Sequence, residues 1–355
     1  MRLFHSIWSL PQHSNRWNIP FEKRRYCDVL CAALSVVFAK GNGCKIVLHA
    51  DNEGVENYGW LPYDEIHATL EGFNYNPIFW AAGKILAHEA EPLGSIQIDT
   101  DVFIRWSSIV DTLNQLKNHD LIIQHFCLEK DIVYYLKHNT LIWHKLLEAN
   151  VNQEVPFFQF QDKRIAASCG LVGFNNQMLK DLFIDTYKKL YHLLKDNTDF
   201  FDEVRDKSIC LDLLLEEYNL GYCTKILNNS VLTVLPNGWE NKLDDVPDIG
   251  YTHLVFKKKY KIDVIQQCEQ LLQELAPEIW TEFTERFGSL RQYIDVEPET
   301  TKKDEKIDIG QVNQFIFDGR NSGKITETDN HNSNYSIPLS MLNNNDFLFL
   351  ADINI

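Results

Sequence analysis

Three things are scarce in this 355-residue sequence, and each scarcity narrows what the chain can be. Basic charge is the first: 34 Lys and Arg stand against 50 Asp and Glu, a formal net charge of −16. Such a surface argues against nucleic acid or an anionic membrane as partner, although a local basic patch can still receive phosphates. Long apolar runs are the second. No stretch reaches the ~18 residues of a membrane span, and nothing like a signal peptide precedes the first strand-like run, so no transmembrane segment is expected. Paired cysteines are the third. Cys27, Cys31, Cys44, Cys127, Cys169, Cys210, Cys223 and Cys268 are scattered without a Cys-x-x-Cys pair. Reduced, mostly buried thiols in a cytoplasmic protein are the expectation, not a disulfide framework. A glycine-rich turn is missing too. The first strand leaves through Leu10-Pro11-Gln12-His13, where a dinucleotide site needs Gly-x-Gly-x-x-Gly to let the backbone approach a pyrophosphate.

What is present is an alternation of strand and helix. Residues 3–9 read as a strand, and residues 22–40 carry apolar side chains at helical spacing up to Gly41-Asn42-Gly43, a helix-stop signal. Residues 44–50 are a second strand, closed by a turn at Asp51-Asn52-Glu53-Gly54. Residues 61–70 are ambiguous between strand and loop, residues 79–90 form a helix, and residues 95–98 a third strand. That order predicts an α/β fold, a mixed, mainly parallel sheet flanked by helices. Further on, the patterns predict helices at 109–117, 131–149, 176–194 and 202–220, and strands at 120–126, 166–174 and 231–235. A helical segment at 262–287 is broken by Pro277.

The third strand runs into Asp99-Thr100-Asp101. In an open α/β sheet, ligands collect beyond the carboxyl ends of the strands. Two carboxylates there make a hard-oxygen site suited to Mg²⁺ or Mn²⁺. A solvated acidic turn is the plain alternative. Lys84 lies on the preceding helix, and Gly250–Tyr260 carries His253 followed by Lys257, Lys258 and Lys259.

Taken in this order and spacing, Ile96-Gln97-Ile98-Asp99-Thr100-Asp101, Lys84, His253 and Lys259 resemble the GT-A-fold, nucleotide-sugar-dependent glycosyltransferases, especially the glycogenin-like group. The resemblance covers about residues 3–260, and the first seventy also resemble a bacterial branch of that superfamily. It implies a Rossmann-like, GT-A-like catalytic domain that moves a sugar from a nucleotide-diphosphate donor to an acceptor (glycan, peptide or small molecule). By the same resemblance, Asp99, Asp101 and His253 hold Mn²⁺ or Mg²⁺, and Lys84 and Lys259 contact the diphosphate. Ser6 and Trp8 at the end of the first strand, with Asp51 after the second, take the nucleotide base. Asp206 stands nearest to the family's downstream acidic catalytic position. The chain departs from the family at Phe256, where glycine is usual, and at Ser168-Cys169-Gly170, where the acceptor strand has Asn-x-Gly. Two other readings stay open: a catalytically silent nucleotide- or sugar-binding protein on the same fold, and an Asp-x-Asp phosphohydrolase, against which Phe103 counts.

The expected organisation is a catalytic domain at 1–260, a C-terminal helical extension at 261–296, and a flexible polar tail at 297–355. The tail is rich in Asp, Asn, Lys, Thr and Glu, too polar to bury enough apolar surface to offset the entropy of ordering it. Truncation before Lys302 is therefore expected to leave the melting temperature nearly unchanged in a thermal denaturation scan. A large fall would show that Phe347–Leu350 packs on the domain.

Overall fold

The computed structural model describes residues 1–13, 19–128, 165–196, 211–235, 245–246, 250–254 and 257–294. Its frame is a seven-stranded sheet. The strands are β1 (Arg2–Ile7), β2 (Lys45–Ala50), β3 (Glu65–His67), β4 (Ile96–Ile98), β6 (Leu121–Ile123), β9 (Leu171–Phe174) and β10 (Val231–Thr233), in the order β10-β6-β9-β4-β1-β2-β3. β1 pairs in parallel with β2 and β4, β2 with β3, and β6 with β10. β9 alone runs against its neighbours β4 and β6. A separate three-stranded sheet joins β5 (Val102–Ile104), β12 (Tyr251–His253) and β11 (Asp245–Val246). β7 (Phe126–Leu128) and β8 (Ile165–Ala167) form a small antiparallel pair. The sheet is mixed and mainly parallel, as the strand–helix alternation predicts.

Near-continuous apolar runs build the central strands because both faces are covered. Ile46 to Ala50 are all buried, as are Leu3 and Phe4 opposite them. Helix α1 (Phe21–Gly41) has thirteen buried residues and packs against β5. Among the described residues the further helices are α2 (Asn52–Tyr58), α3 (Ala82–Ala90), α4 (Ser107–Leu113), α5 (Gln177–Leu194), α6 (Asn219–Leu227), α7 (Ile262–Leu275) and α8 (Pro277–Phe287). Pro277 opens α8 at the position where its missing N–H costs nothing. Among the described residues no helix is long and apolar enough to cross a membrane.

Several local expectations are corrected. Asp51–Gly54 is not a free turn: Asp51 caps α2, accepting from Gly54 N at 2.8 Å. The strand expected at 120–126 is two strands in different sheets, and that at 166–174 is β8 and β9 with Ser168-Cys169-Gly170 between them. β5 has no counterpart among the sequence expectations. The helix expected at 131–149 lies outside the described residues. The described residues up to Ile294 fall in one compact unit, in which α7 packs against α1. Tyr26 on α1 donates to Glu269 on α7 at 2.6 Å, and Lys23 donates to the Ile294 carbonyl at 2.8 Å.

One buried acid fastens the strands to the helices. Glu91 receives Arg2 Nε at 2.6 Å and Nη2 at 2.7 Å, and His49 Nε2 at 2.9 Å, while its carbonyl accepts from Lys180 on α5 at 2.6 Å. Burial pushes the carboxyl up, but the hydrogen bonds from His49, Arg2 and Ser95 outweigh it and bring it from 4.5 down to about 2. A depressed carboxyl contributes stability that is fully present above its unfolded value and lost as pH falls through the folded one. Glu91→Gln should therefore destabilise the protein at pH 7, by an amount on the order of 1–2 kcal/mol once solvent screening is allowed for. The gap to the wild type should close between pH 4.5 and 2 in denaturant titrations.

Candidate functional site: a carboxylate–histidine–lysine cluster

The order β3-β2-β1-β4 reverses direction between β1 and β4, which is the topological switch point where open α/β sheets bind ligands. Asp99 follows the last residue of β4 at that point. The chain turns tightly there, with Val102 N donating to Asp99 O at 2.9 Å and Asp99 N to Gly170 O at 2.9 Å. It then leaves the large sheet as β5. β12 pairs antiparallel with β5, setting His253 opposite Val102, and Leu254 N donates to Asp101 O at 3.0 Å. This ladder, and nothing local, carries His253 to the two aspartates. Its Nε2 lies 3.5 Å from Asp101 Oδ1 and 3.9 Å from Asp99 Oδ2. One ligand atom from each of the three residues falls within 4.8 Å of the others, the one such group of three or more among the described residues.

Both lysines singled out in the sequence also arrive. Lys84 Nζ is 2.8 Å from Asp99 Oδ1 and 3.1 Å from Glu216 Oε1. Lys259 Nζ is 2.9 Å from Asp101 Oδ2 and 3.0 Å from Asp28 Oδ1. They pair with the aspartates themselves. The result is a chain of contacts, Glu216–Lys84–Asp99–His253–Asp101–Lys259–Asp28. Burial would lower both ammonium groups, but Asp99 and Glu216 raise Lys84, and Asp101 and Asp28 raise Lys259. Burial would likewise raise the Asp101 carboxyl, yet Lys259 and His253 hold it well below the usual carboxylate range. Four carboxylates meet two lysines along these contacts, a formal excess of two negative charges. Asp99 is the more open of the pair, its side chain 22 % exposed against 10 % for Asp101.

Glycines let these parts approach. A Cβ on Gly83, next to Lys84, would sit 3.0 Å from Trp8 Cβ, so its absence lets α3 press against the end of β1. A Cβ on Gly170 would overlap the His253 ring and the Gln124 amide oxygen. Gln124 follows β6 and accepts from Tyr251 Oη at 2.8 Å, with His253 Nδ1 also 2.8 Å away.

Ser6, Trp8 and Asp51, assigned by resemblance to the nucleotide base, lie at the carboxyl end of β1 and the start of α2. Trp8 is buried and meets Phe73 edge-on at 4.9 Å. Asp51, besides capping α2, accepts from Ser9 N and Ser9 Oγ at 2.8 Å each. Ser6 Oγ is buried and has no hydrogen-bond partner among the described residues. Asp206 and Phe256 lie outside the described residues. Sequence reasoning missed Gln97, Gln124, Tyr251, Asp28 and Glu216. Gln97 on β4 donates to Asp99 Oδ1 at 2.9 Å. A glutamine directly after Leu-Ile-Ile, and another between two isoleucines, were signals available for Gln124 and Gln97. Glu216 sits in a π-helical segment, Leu213–Tyr218, a geometry frequent at functional sites that leaves no mark in composition.

Gly170→Ala is expected to cost ~1–3 kcal/mol in urea denaturation, the usual penalty of overpacking. Gly41→Ala is the control: its added Cβ meets nothing within 4 Å, and it should be neutral or slightly stabilising.

No curated protein matches the sequence. Residues 1–286 match the model of DUF6734, described as a family of unknown function. That match includes the whole charge cluster and continues through most of α8, well past residue 260. The chain belongs to this family, DUF6734.

Proposed function

We propose that the protein is a metal-dependent glycosyltransferase of GT-A type that takes its sugar from a nucleoside-diphosphate donor. The observation that carries this reading is the meeting of Asp99, Asp101 and His253, separated by about 150 residues, at the switch point of the sheet. Four carboxylates against two lysines along the cluster's contacts leave a formal excess of two negative charges, which matches one divalent ion. Two carboxylate oxygens and an imidazole nitrogen suit Mn²⁺ or Mg²⁺, with the nitrogen favouring Mn²⁺. When bound, such an ion supplies Lewis-acid stabilisation to a departing diphosphate.

The protein's own groups do the rest. Lys84 and Lys259 are now the counter-ions of the aspartates. Once the aspartates are neutralised otherwise, both ammonium groups are free to turn to phosphate oxygens, whose negative charge favours their protonated form as the aspartates did. Glu216 and Asp28 hold each lysine from its far side, so release from an aspartate does not release it from the site. The acceptor side supports a second reading, binding without turnover. The residue standing where the family has an acceptor-strand Asn is Ser168, which is buried and whose backbone N donates to His125 O at 2.9 Å.

Thermal-shift titration tests the reading. Mn²⁺ should stabilise the wild type, and a nucleoside diphosphate should add to that, with about 2.7 kcal/mol expected at a hundredfold excess over Kd. Asp101→Asn should remove both effects. Donor hydrolysis or transfer followed by mass spectrometry then separates an enzyme from a binding protein. Absence of any Mn²⁺ effect on the wild type would sink the metal reading.

A further inference from the structure

We infer that Tyr63, His5 and Ser35 form a one-way hydrogen-bond relay into the outer edge of β5, in which His5 and Ser35 are positioning residues for Asp101 and His253. The use of that position by a cation rests on the proposed function; the relay itself does not.

Among the described residues β5 has a strand partner, β12, on one side only, so the buried carbonyls along its other edge need donors from elsewhere. Helix α1 supplies one: Ser35 Oγ donates to Val102 O at 2.7 Å. Asn42, directly after α1, supplies the other, its Nδ2 donating to Ile104 O at 2.8 Å. The groups between them face β12, where Asp101 O accepts from Leu254 N and Arg105 N donates to Gly250 O. Val102 follows Asp101 and stands opposite His253. A hold on its carbonyl is therefore a hold on the strand that brings those two residues together.

The direction of every bond in the relay follows from its far end. Ser35 is buried, and its hydroxyl has a single proton. A carbonyl oxygen can only accept, so that proton lies in the bond to Val102, and toward His5 Nε2, 3.0 Å away, Ser35 Oγ can only accept. Nε2 therefore carries a hydrogen. His5 is fully buried, and both its nitrogens meet hydroxyls, not carboxylates. Burial outweighs the pull of Asp101 and brings the ring from 6.5 down to about 3, so it is neutral and has one N–H. Nδ1 is then bare, and the Tyr63 hydroxyl donates to it at 2.8 Å. No step depends on how an amide group is placed. The relay ends on a carbonyl, which cannot pass a proton on, so its role is to aim the Ser35 hydroxyl and not to carry protons.

Two measurements test the relay and its effect on β5. Histidine-¹⁵N-labelled full-length protein at pH 7 is examined by long-range ¹H–¹⁵N correlation, with His5 assigned from the spectrum of His5→Gln. The wild type should show a protonated Nε2 and a bare Nδ1. Tyr63→Phe should keep that tautomer, because Ser35 still demands it. Ser35→Ala removes the acceptor, and the proton should move to Nδ1, where Tyr63 Oη can accept it. Amide hydrogen exchange is then followed by mass spectrometry on peptides covering residues 101–106 and 250–254. Ser35→Ala should speed exchange there roughly 2- to 10-fold, the net worth of one hydrogen bond, and leave the β1–β2 ladder unchanged. Asn42→Ala should speed the same peptides without altering the tautomer. A wild-type His5 protonated at Nδ1, a Ser35→Ala ring still protonated only at Nε2, or unchanged exchange in Ser35→Ala overturns the inference. If Ser35→Ala does not fold, the wild-type and Tyr63→Phe spectra decide. Mn²⁺ held by Asp101 and His253 should slow exchange of the 250–254 peptide in the wild type, by up to about 100-fold at a hundredfold excess over Kd. If Mn²⁺ changes nothing while the variants behave as stated, the metal reading fails and the relay stands.

Discussion

Two carboxylates one residue apart, at the end of a buried strand, must be neutralised, and much of the architecture around residue 100 answers that requirement. Asp101 is buried and Asp99 is about three-quarters shielded. Leaving either without a partner would cost several kcal/mol. Lys84 and Lys259 meet that need, and each brings a further acid, Glu216 or Asp28, that keeps the lysine itself from being an unpaired buried cation. The partners come from β4, α1, α3, the π-helical segment and the turn after β12. Elements remote in sequence are therefore tied together by charge at one end of the sheet, much as Glu91 ties β1, β2, α3 and α5 elsewhere.

Topology decides where this happens. Parallel pairing of β1 with β2 and β4 opens the switch point beside Asp99. The reversed strand β9 matters equally. Because it runs against β4 and β6, its first residues lie level with the last residues of those two strands, and so Gly170 stands beside Asp99, Gln124 and His253. Had β9 been parallel, the opposite end of that strand would face the site. The β5–β12 ladder then supplies what no loop of ordinary length could, a register that holds His253 to its place opposite Val102.

What was legible in the sequence was what local physics governs. The apolar periodicity of α1, the break at Pro277 and the β-branched run into Asp99 mark those elements directly. The coming together of Asp99, Asp101 and His253 was reachable only through resemblance, because no local signal links β5 to β12. Asp51 misled for a physical reason: Asp-x-x-Gly serves a turn and a helix N-cap equally well, and a seven-residue helix with Gly54 in its first turn has little periodicity to show. Val102–Ile104 was hidden by its neighbour, since a strand of three residues directly after a turn reads as the turn's continuation. Asp28 was invisible because it lies one turn from apolar neighbours on a helix whose nearly every face is covered.

The alternating chain from Glu216 to Asp28 also has a mechanical meaning. Its two ends are planted in different bodies of secondary structure, one in the π-helical segment before α6 and the other in α1. The ion pairs toward its ends are 2.8–3.1 Å long, whereas the two contacts through His253 at its centre are 3.5 and 3.9 Å, so the string is drawn tight at the helices and slack where the three potential ligand atoms meet.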